Sequence, residues 1–384
     1  VKKGERYLLT GEKWFASNCD AGLAITLART GDIPGTKGLS LFLLPRVLEN
    51  GEKNRITIRR LKDKLGVRAV ASGELVLNGA EAELIGEENQ GFKYMAEALN
   101  ISRMCTATGA LALSRRAFLE AAIYASRRRA FGRVITDYPM VRQTLLDMIT
   151  DIEAGWALVA QMILLFDRIH TYGEETEENH TLLRLLQALA KYRLSENAVR
   201  HTREALELHG GNGYIEEFVT PRLLRDAQVN TVWEGTSNIM GLEVVKTLAR
   251  EAGVTGSRGV LFTAVDQALE RVTIPELAES KRLVTMALQK AEREAATLLA
   301  AGPLVQNAHA RRLANRLADL FSAAHLLEEA QYSWHRHGSR RLAKVAEYFI
   351  HRTWNPARYD IGGELPAVEL YDLVVAWAGE KVGV

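Results

Sequence analysis

The sequence predicts an α+β protein, mostly α, in which a small antiparallel β domain is followed by a helical bundle and then by a further helical unit. Three observations carry this. Over residues 1–85, short apolar runs alternate with Gly, Pro, Asn and Asp. From residue 91, apolar positions recur at spacings of three and four. After "EAGVTGSRG" (251–259), a cluster of Gly and small polar residues that reads as a linker, the helical period resumes. A chain of 384 residues is long enough for two or three compact units with cores of their own.

The strands are expected in "RYLLTGEKWFASN" (6–18), "AGLAITLART" (21–30), "KGLSLFLLPR" (37–46) and "SGELVLNGAEAELI" (72–85), which together suit a sandwich or barrel over 1–88. Helices are expected over about 91–130, 137–170, 180–209 and 237–252, so that 89–252 is the bundle. The acidic "YGEETEENH" (172–180) is read as a solvated connection between two of them. Residues 253–384 continue as helices, interrupted at "AGP" (301–303) and "TWNPARYDIGGELPA" (353–367). The first residues pass almost at once into strand-like text, as though the chain opened inside a larger organisation.

Charge and cysteine content exclude several classes. Forty-nine basic residues against 47 acidic ones leave a net charge of +2, so no global field points to nucleic acid or an anionic membrane. Cys19 and Cys105 are the only cysteines and lie far apart, which disfavours a disulfide framework or a thiolate zinc site and suits a reducing cytoplasm. No apolar run is read as long enough to span a membrane, the start does not resemble a signal peptide, and no metal site is expected.

Three segments could carry chemistry. "HGGNGY" (209–214) is either a helix end with left-handed glycines or a loop whose backbone approaches a phosphate or sugar. "SRRRAFGR" (126–133) is either a solvated helix end or a diphosphate clamp, because guanidinium forks match phosphate oxygens. In "VNTVWEGTSNIM" (229–240), Glu234 sits between Trp233 and Gly235 in apolar company, just ahead of a helix that Thr236 and Ser237 can cap. Such a carboxylate is either satisfied by backbone donors or held where desolvation makes it a stronger base. The chain holds no G-x-G-x-x-G after a strand and no Walker loop.

In this order, "EKWFASN", "SRRRAFGR", "LHGGNGY" and "WEGTSNIM" resemble the acyl-CoA dehydrogenase family of flavoproteins over about residues 4–252. With "RLKDKLGVRAVASGELVLNGAEAELIGE", "LNISRM" and the extra C-terminal unit, the chain looks most like the AidB-like branch. The resemblance implies a β domain, a four-helix bundle and an additional helical domain, with the family's N-terminal helical domain lying outside these residues. It also implies an FAD-dependent oxidation of an acyl-CoA to a trans-2-enoyl-CoA, as in fatty acid or branched-chain acyl-CoA metabolism. Electron-transferring flavoprotein is the implied acceptor.

Position by position, Glu234 falls where the family has its base, which removes the pro-R α-proton. Its backbone N–H would polarise the thioester oxygen. Some members place the base just before the arginine of "LNISRM", where this chain has Ser102, which cannot act so. Arg103, Trp233 and Gly235 match substrate-side positions. Phe15 and Ser17 match contacts to the flavin ring; Thr236 and Asn238 match contacts to the diphosphate and adenosine. Arg128, Phe131, Glu207, Gly210 and Gly211 match residues that reach FAD bound mainly by a neighbouring subunit, which implies a homotetramer or homodimer. Ala130, Tyr138, Pro139 and Glu207 depart from the common pattern, each altering a possible hydrogen bond to FAD.

The branch also carries an association with double-stranded DNA and weak dehydrogenase activity. Residues 311–358 hold nine basic residues (Arg311, Arg312, Arg316, Arg336, Arg340, Arg341, Lys344, Arg352, Arg358) against four acidic ones (Asp319, Glu328, Glu329, Glu347). These form either a phosphate-binding stripe or solvated helix faces. A flavin acting on another substrate, such as a nitroalkane, is a third reading.

Overall fold

The computed structural model describes residues 1–4, 6–255 and 259–377. They fall into two compact units, Val1–Ser102 and Arg103–Val384.

The first unit is a six-stranded antiparallel sheet of β1 (Lys2–Lys3), β2 (Arg6–Ala16), β3 (Leu23–Arg29), β4 (Leu39–Pro45), β5 (Ile56–Leu61) and β6 (Gly73–Ile85), in the order β1-β2-β6-β4-β3 with β5 also on β6. β6 is the hub. One edge pairs with β2 from Gly73↔Ala16 to Ala82↔Tyr7; the other takes β5 at Gly73–Leu77 and β4 at Glu83–Ile85. Alternation puts Tyr7, Leu9, Phe42, Leu44, Leu77, Ala80 and Ala82 into one core. β5 is not among the expected strands: Arg59 and Arg60 interrupt its apolar text, although Ile56 and Ile58 still face inward. At the end of β2, Trp14 and Phe15 remain 60% and 69% exposed, with the Lys62 ammonium 3.1 Å from the centre of the Trp14 ring.

The second unit is helical: α1 (Gly91–Arg127), α2 (Pro139–His170), α3 (Glu177–Leu208), α4 (Thr220–Val229), α5 (Ser237–Thr255), α6 (Val260–Arg271), α7 (Ala278–Ala300), α8 (Pro303–His337) and α9 (Arg341–Trp354), followed by α10 (Pro366–Glu369) and α11 (Tyr371–Val374). α1 begins in the first unit. It stops short of the expected residue 130, because Arg129–Ala130 (β7) and Arg133–Val134 (β8) form a hairpin. The acidic connection is also shorter than expected. The Thr176 hydroxyl accepts from the N–H of Asn179 at 3.1 Å and starts α3 at Glu177. α4, not expected from the sequence, is a ten-residue helix opened by Pro221.

Two further expectations need correction. α2 carries an 18-residue window of mean hydropathy 1.5, long and apolar enough to cross a bilayer. Its Leu145, Leu146, Met148, Ile149, Leu158 and Met162 are instead buried in the common core, and 61% of that window is buried within the fold. The linker expected at 251–259 is helical through Thr255, and 256–258 lie outside the described residues. Of the separate unit expected over 253–384, the described residues 259–377 do not stand apart from the bundle, because α8 packs on α2 and α5 within one continuous core.

Candidate active site

The segment after α4 builds the site. The N–H groups of Val232 and Trp233 both donate to the Val229 carbonyl, at 2.9 and 3.0 Å, and the Trp233 indole donates to Asn230 Oδ1 at 3.1 Å. The chain then reverses through two residues at positive φ, Glu234 at 57° and Gly235 at 108°. The first is unusual for a residue with a side chain and costs about 1–3 kcal/mol that its surroundings must offset. The second favours glycine because φ 108° is a conformation that residues with a side chain rarely adopt, and a Cβ there would also lie 2.5 Å from the flexible end of Met240, at Cε. α5 follows, its first bond running from the Met240 N–H to the Thr236 carbonyl at 3.0 Å. The outcome for Glu234 is a carboxylate whose Oε2 is buried with no hydrogen-bond partner.

Side chains from two other helices grip this reversal. Arg103 on α1 donates through Nε to the Glu234 carbonyl at 3.2 Å, and Lys191 on α3 donates through Nζ to the Gly235 carbonyl. Ser237 does not use its hydroxyl on its own helix start; it donates to Glu196 Oε1 on α3 at 2.6 Å. Beside it lies an open cleft of about 440 Å³ lined by Glu196, Arg200, Arg203, Gln228, Thr236 and Asn238, with Arg311 of α8 at its edge. Three guanidinium groups reach the cleft, each also paired with a carboxylate (Arg200 with Asp151, Arg203 with Glu204 and Glu207, Arg311 with Glu196), and Thr236 and Asn238 are exposed to it.

The other predicted residues gather elsewhere. Tyr124, near the C-terminal end of α1, stacks on His209 at 4.2 Å, and its hydroxyl accepts from Asn212 Nδ2 at 3.2 Å. This seats the "HGGNGY" segment, in which Gly210 takes the left-handed conformation (φ 60°). The N–H of Arg128 donates to the Tyr124 carbonyl at 2.9 Å and leads into the hairpin. Phe131 (φ 50°) and Gly132 (φ 88°) form its two-residue turn, the pattern of a type I′ hairpin, and leave Phe131 96% exposed. Tyr138 latches the hairpin by donating to the carbonyls of Ala130 (3.0 Å) and Phe131 (3.1 Å). Glu207 pairs with Arg203 one turn earlier on α3.

The predicted residues of this unit therefore form two groups. Arg103, Trp233, Glu234, Gly235, Thr236 and Asn238 are one; Arg128, Phe131, Gly210 and Gly211 are the other, with Glu207 on the last turn of α3. Arg103 and Arg127 are 24 positions apart on one helix, about 36 Å along it, while Thr236 and Asn238 share their cleft with Arg203, which pairs with Glu207 three positions before Gly210. In the first unit, Phe15 and Ser17 are exposed. The sequence reading missed Lys191, Glu196, Arg200 and Arg203. The signal for Lys191 was a single cation inside the apolar run "LLQALAKY".

Most of the cations offered as a DNA stripe are engaged within the fold. Arg311 pairs with Glu196, Arg316 with Glu294, Arg341 with Glu153, Lys344 with Glu347, Arg352 with Asp147 and Asp151, and Arg358 with Glu347 and Glu364. Arg341 is buried, at 2% exposure, and cannot present itself to a phosphate. Among the described residues, no group of three or more His, Cys, Asp or Glu side chains could hold a metal.

Comparison with known proteins matches residues 1–80 to the acyl-CoA dehydrogenase middle domain and residues 89–249 to the acyl-CoA dehydrogenase C-terminal domain. Acyl-CoA dehydrogenase family member 11 of Caenorhabditis elegans is 33% identical over 339 residues, 86% of this chain and 54% of that protein. The putative acyl-CoA dehydrogenase AidB of Escherichia coli (strain K12) is 36% identical over 248 residues, 65% of this chain and 44% of that protein. The crystal structure of C. elegans ACDH-11 in complex with C11-CoA superposes with a TM-score of 0.82 at 31% identity, covering 92% of this chain and 60% of that one. The chain thus spans about half the length of the curated relatives it matches.

Proposed function

The chain belongs to the acyl-CoA dehydrogenase family, and on that premise we propose that it is an FAD-dependent dehydrogenase of the AidB-like branch that oxidises an acyl-CoA thioester to its trans-2-enoyl-CoA. The observation that carries this is the Glu234 carboxylate: one oxygen is buried without a partner, on a turn whose backbone is held from behind by Arg103 and Lys191.

The residues fit the cofactor. The N-terminus of the 19-residue α5, with Thr236 and Asn238 exposed beside the arginines of the cleft, suits a diphosphate, and Arg128, Phe131, Gly210 and Gly211 offer a second set of contacts. FAD, when bound, supplies the acceptor for the hydride that leaves the β-carbon. Glu234 takes the α-proton onto its unpartnered oxygen, so that the electron pair of that C–H bond becomes the new double bond as the hydride leaves. The Glu234 N–H is the donor for the thioester oxygen, on which negative charge develops. The second set lies toward the far end of α1 from Arg103, and on the family's pattern it serves a cofactor bound mainly by another copy of the chain, so the working unit proposed is a homodimer or homotetramer.

A DNA-associated flavoprotein is the less favoured reading, because its arginines are largely engaged within the fold. Two free cysteines suit the cytoplasm, and electron-transferring flavoprotein is the acceptor proposed. The test is anaerobic mixing of the FAD-loaded protein with short, branched, long and aromatic acyl-CoAs while flavin bleaching is followed. Rapid bleaching by one class establishes the reaction and names the substrate; no bleaching by any, with FAD bound, overturns it.

A further inference from the structure

Lys191 is an ammonium-bearing side chain in the middle of α3 with 1% of its surface exposed, among the most completely enclosed large residues of the protein. An ammonium is costly to bury, and a residue that only filled space here would be apolar. What it touches is therefore informative. Its Nζ donates to the carbonyl of Gly235, the residue after Glu234. Burial, with Arg103 acting in the same sense, pushes its pKa down to about 8, while the Glu234 and Glu196 carboxylates pull the other way.

Arg103 holds the preceding carbonyl, that of Glu234 itself, from α1. Two cations on two helices thus grip two successive carbonyls of a reversal in which both residues sit at positive φ. Pinning these oxygens fixes the peptide planes that follow Glu234 and Gly235. With its planes fixed, the Glu234 Cα–Cβ bond has one direction, and the carboxylate is left only its side-chain rotamers to choose among. Nothing local in "WEGTSN" would hold that orientation without outside partners, because glycine at position 235 leaves the backbone free to choose others.

We propose that Lys191 is the positioning residue for the base: by clamping the Gly235 carbonyl it sets the turn that aims the Glu234 carboxylate at the substrate α-carbon. This rests on the reading of Glu234 as the base, and its test is separable from that reading. In the FAD-loaded protein without substrate, Lys191→Met should speed amide hydrogen exchange at residues 233–237 by about tenfold or more, leaving the α2 and α3 core protected. With acyl-CoA added, flavin reduction should slow by about 10²-fold while acyl-CoA affinity changes little, the signature of a base displaced by a fraction of an ångström.

Unchanged exchange at 233–237 overturns the proposal, and so does a loosened turn with an unchanged reduction rate. Should Lys191→Met not fold, Lys191→Gln, whose amide donor is uncharged and one atom shorter, should loosen residues 233–237 in the same direction by a smaller factor, and its failure to do so overturns the proposal. If no acyl-CoA reduces even the unaltered protein, the reading of Glu234 fails, while the exchange data still decide whether Lys191 holds the turn.

Discussion

The carboxylate of Asp151 on α2 is gripped by the guanidinium of Arg352 on α9, and it is so placed with only 3% of the aspartate exposed. Arg200 on α3 reaches the other oxygen, and Arg352 also bonds Asp147 at 2.6 Å. Burial alone would push the Asp151 carboxyl up, but Arg352, His201 and Arg200 together hold it well below the usual carboxylate range. The consecutive helices α2 and α3 and the distant α9 are joined at one charge.

Arg352→Met should therefore cost about 3–5 kcal/mol in urea denaturation, because it leaves a buried carboxylate short of its partner. Adding Asp151→Asn should recover part of the loss. Since the folded-state pKa of Asp151 lies below the unfolded one, its contribution is present at neutral pH and disappears as pH falls through the folded value. The gap between the unaltered protein and Arg352→Met should persist down to about pH 4 and narrow only below it.

Glu234→Gln removes the proton acceptor and keeps the shape. Stopped-flow reduction of the flavin by a reactive acyl-CoA should fall by about 10²–10⁴-fold, with acyl-CoA still bound. A rate within a few-fold of the unaltered protein would remove Glu234 from the role of base.

Gly235→Ala tests the reversal itself. The new methyl group meets Met240 Cε, and the φ of 108° is one that alanine resists, so a loss of about 1–3 kcal/mol is expected in chemical denaturation. Shortening the neighbour with Met240→Ala should not restore flavin reduction, because the backbone conformation remains wrong. Restoration would show that only the clash matters.

Glu329 on α8 supplies a pH dependence of opposite sign to that of Asp151. Burial first, then the Glu153 and Glu328 carboxylates, push its pKa up to about 7. A folded-state pKa above the unfolded one gives stability that is complete in acid and is lost as pH rises through 7. Glu329→Gln should leave stability near that of the unaltered protein at pH 4 and raise it by about 1–2 kcal/mol at pH 8, read from denaturation midpoints. Equal gains at both pH values would show that the ionisation is not the cause.

The fold was legible where a repeat period carried it. The short apolar runs of β2, β4 and β6, set off by Gly, Pro, Asn and Asp, and the three-and-four spacing of α1, α2 and α3 are properties of neighbouring residues, so the sequence displays them directly. β5 was hidden because Arg59 and Arg60 interrupt its apolar text and its inward positions, Ile56 and Ile58, are too few to mark a period. Glu234 stood out through its apolar company, whereas its left-handed backbone was not legible apart from the glycine that follows. Lys191 and the Asp151–Arg352 pair were beyond reach for one reason. Their partners lie 44 and 201 positions away, and no local pattern encodes which distant residue a buried charge will meet.

The seam between residues 103–255 and 259–377 shares one apolar core and is crossed by ion pairs from Arg193 to Asp319, Arg341 to Glu153 and Arg352 to Asp151. Such a boundary is not a place for cut-and-paste. A chimera that grafted the last helices onto another bundle, or another cap onto this one, would have to bring both faces of the seam together. Successful exchanges should therefore be those that carry α2 and α5 along with α8 and α9.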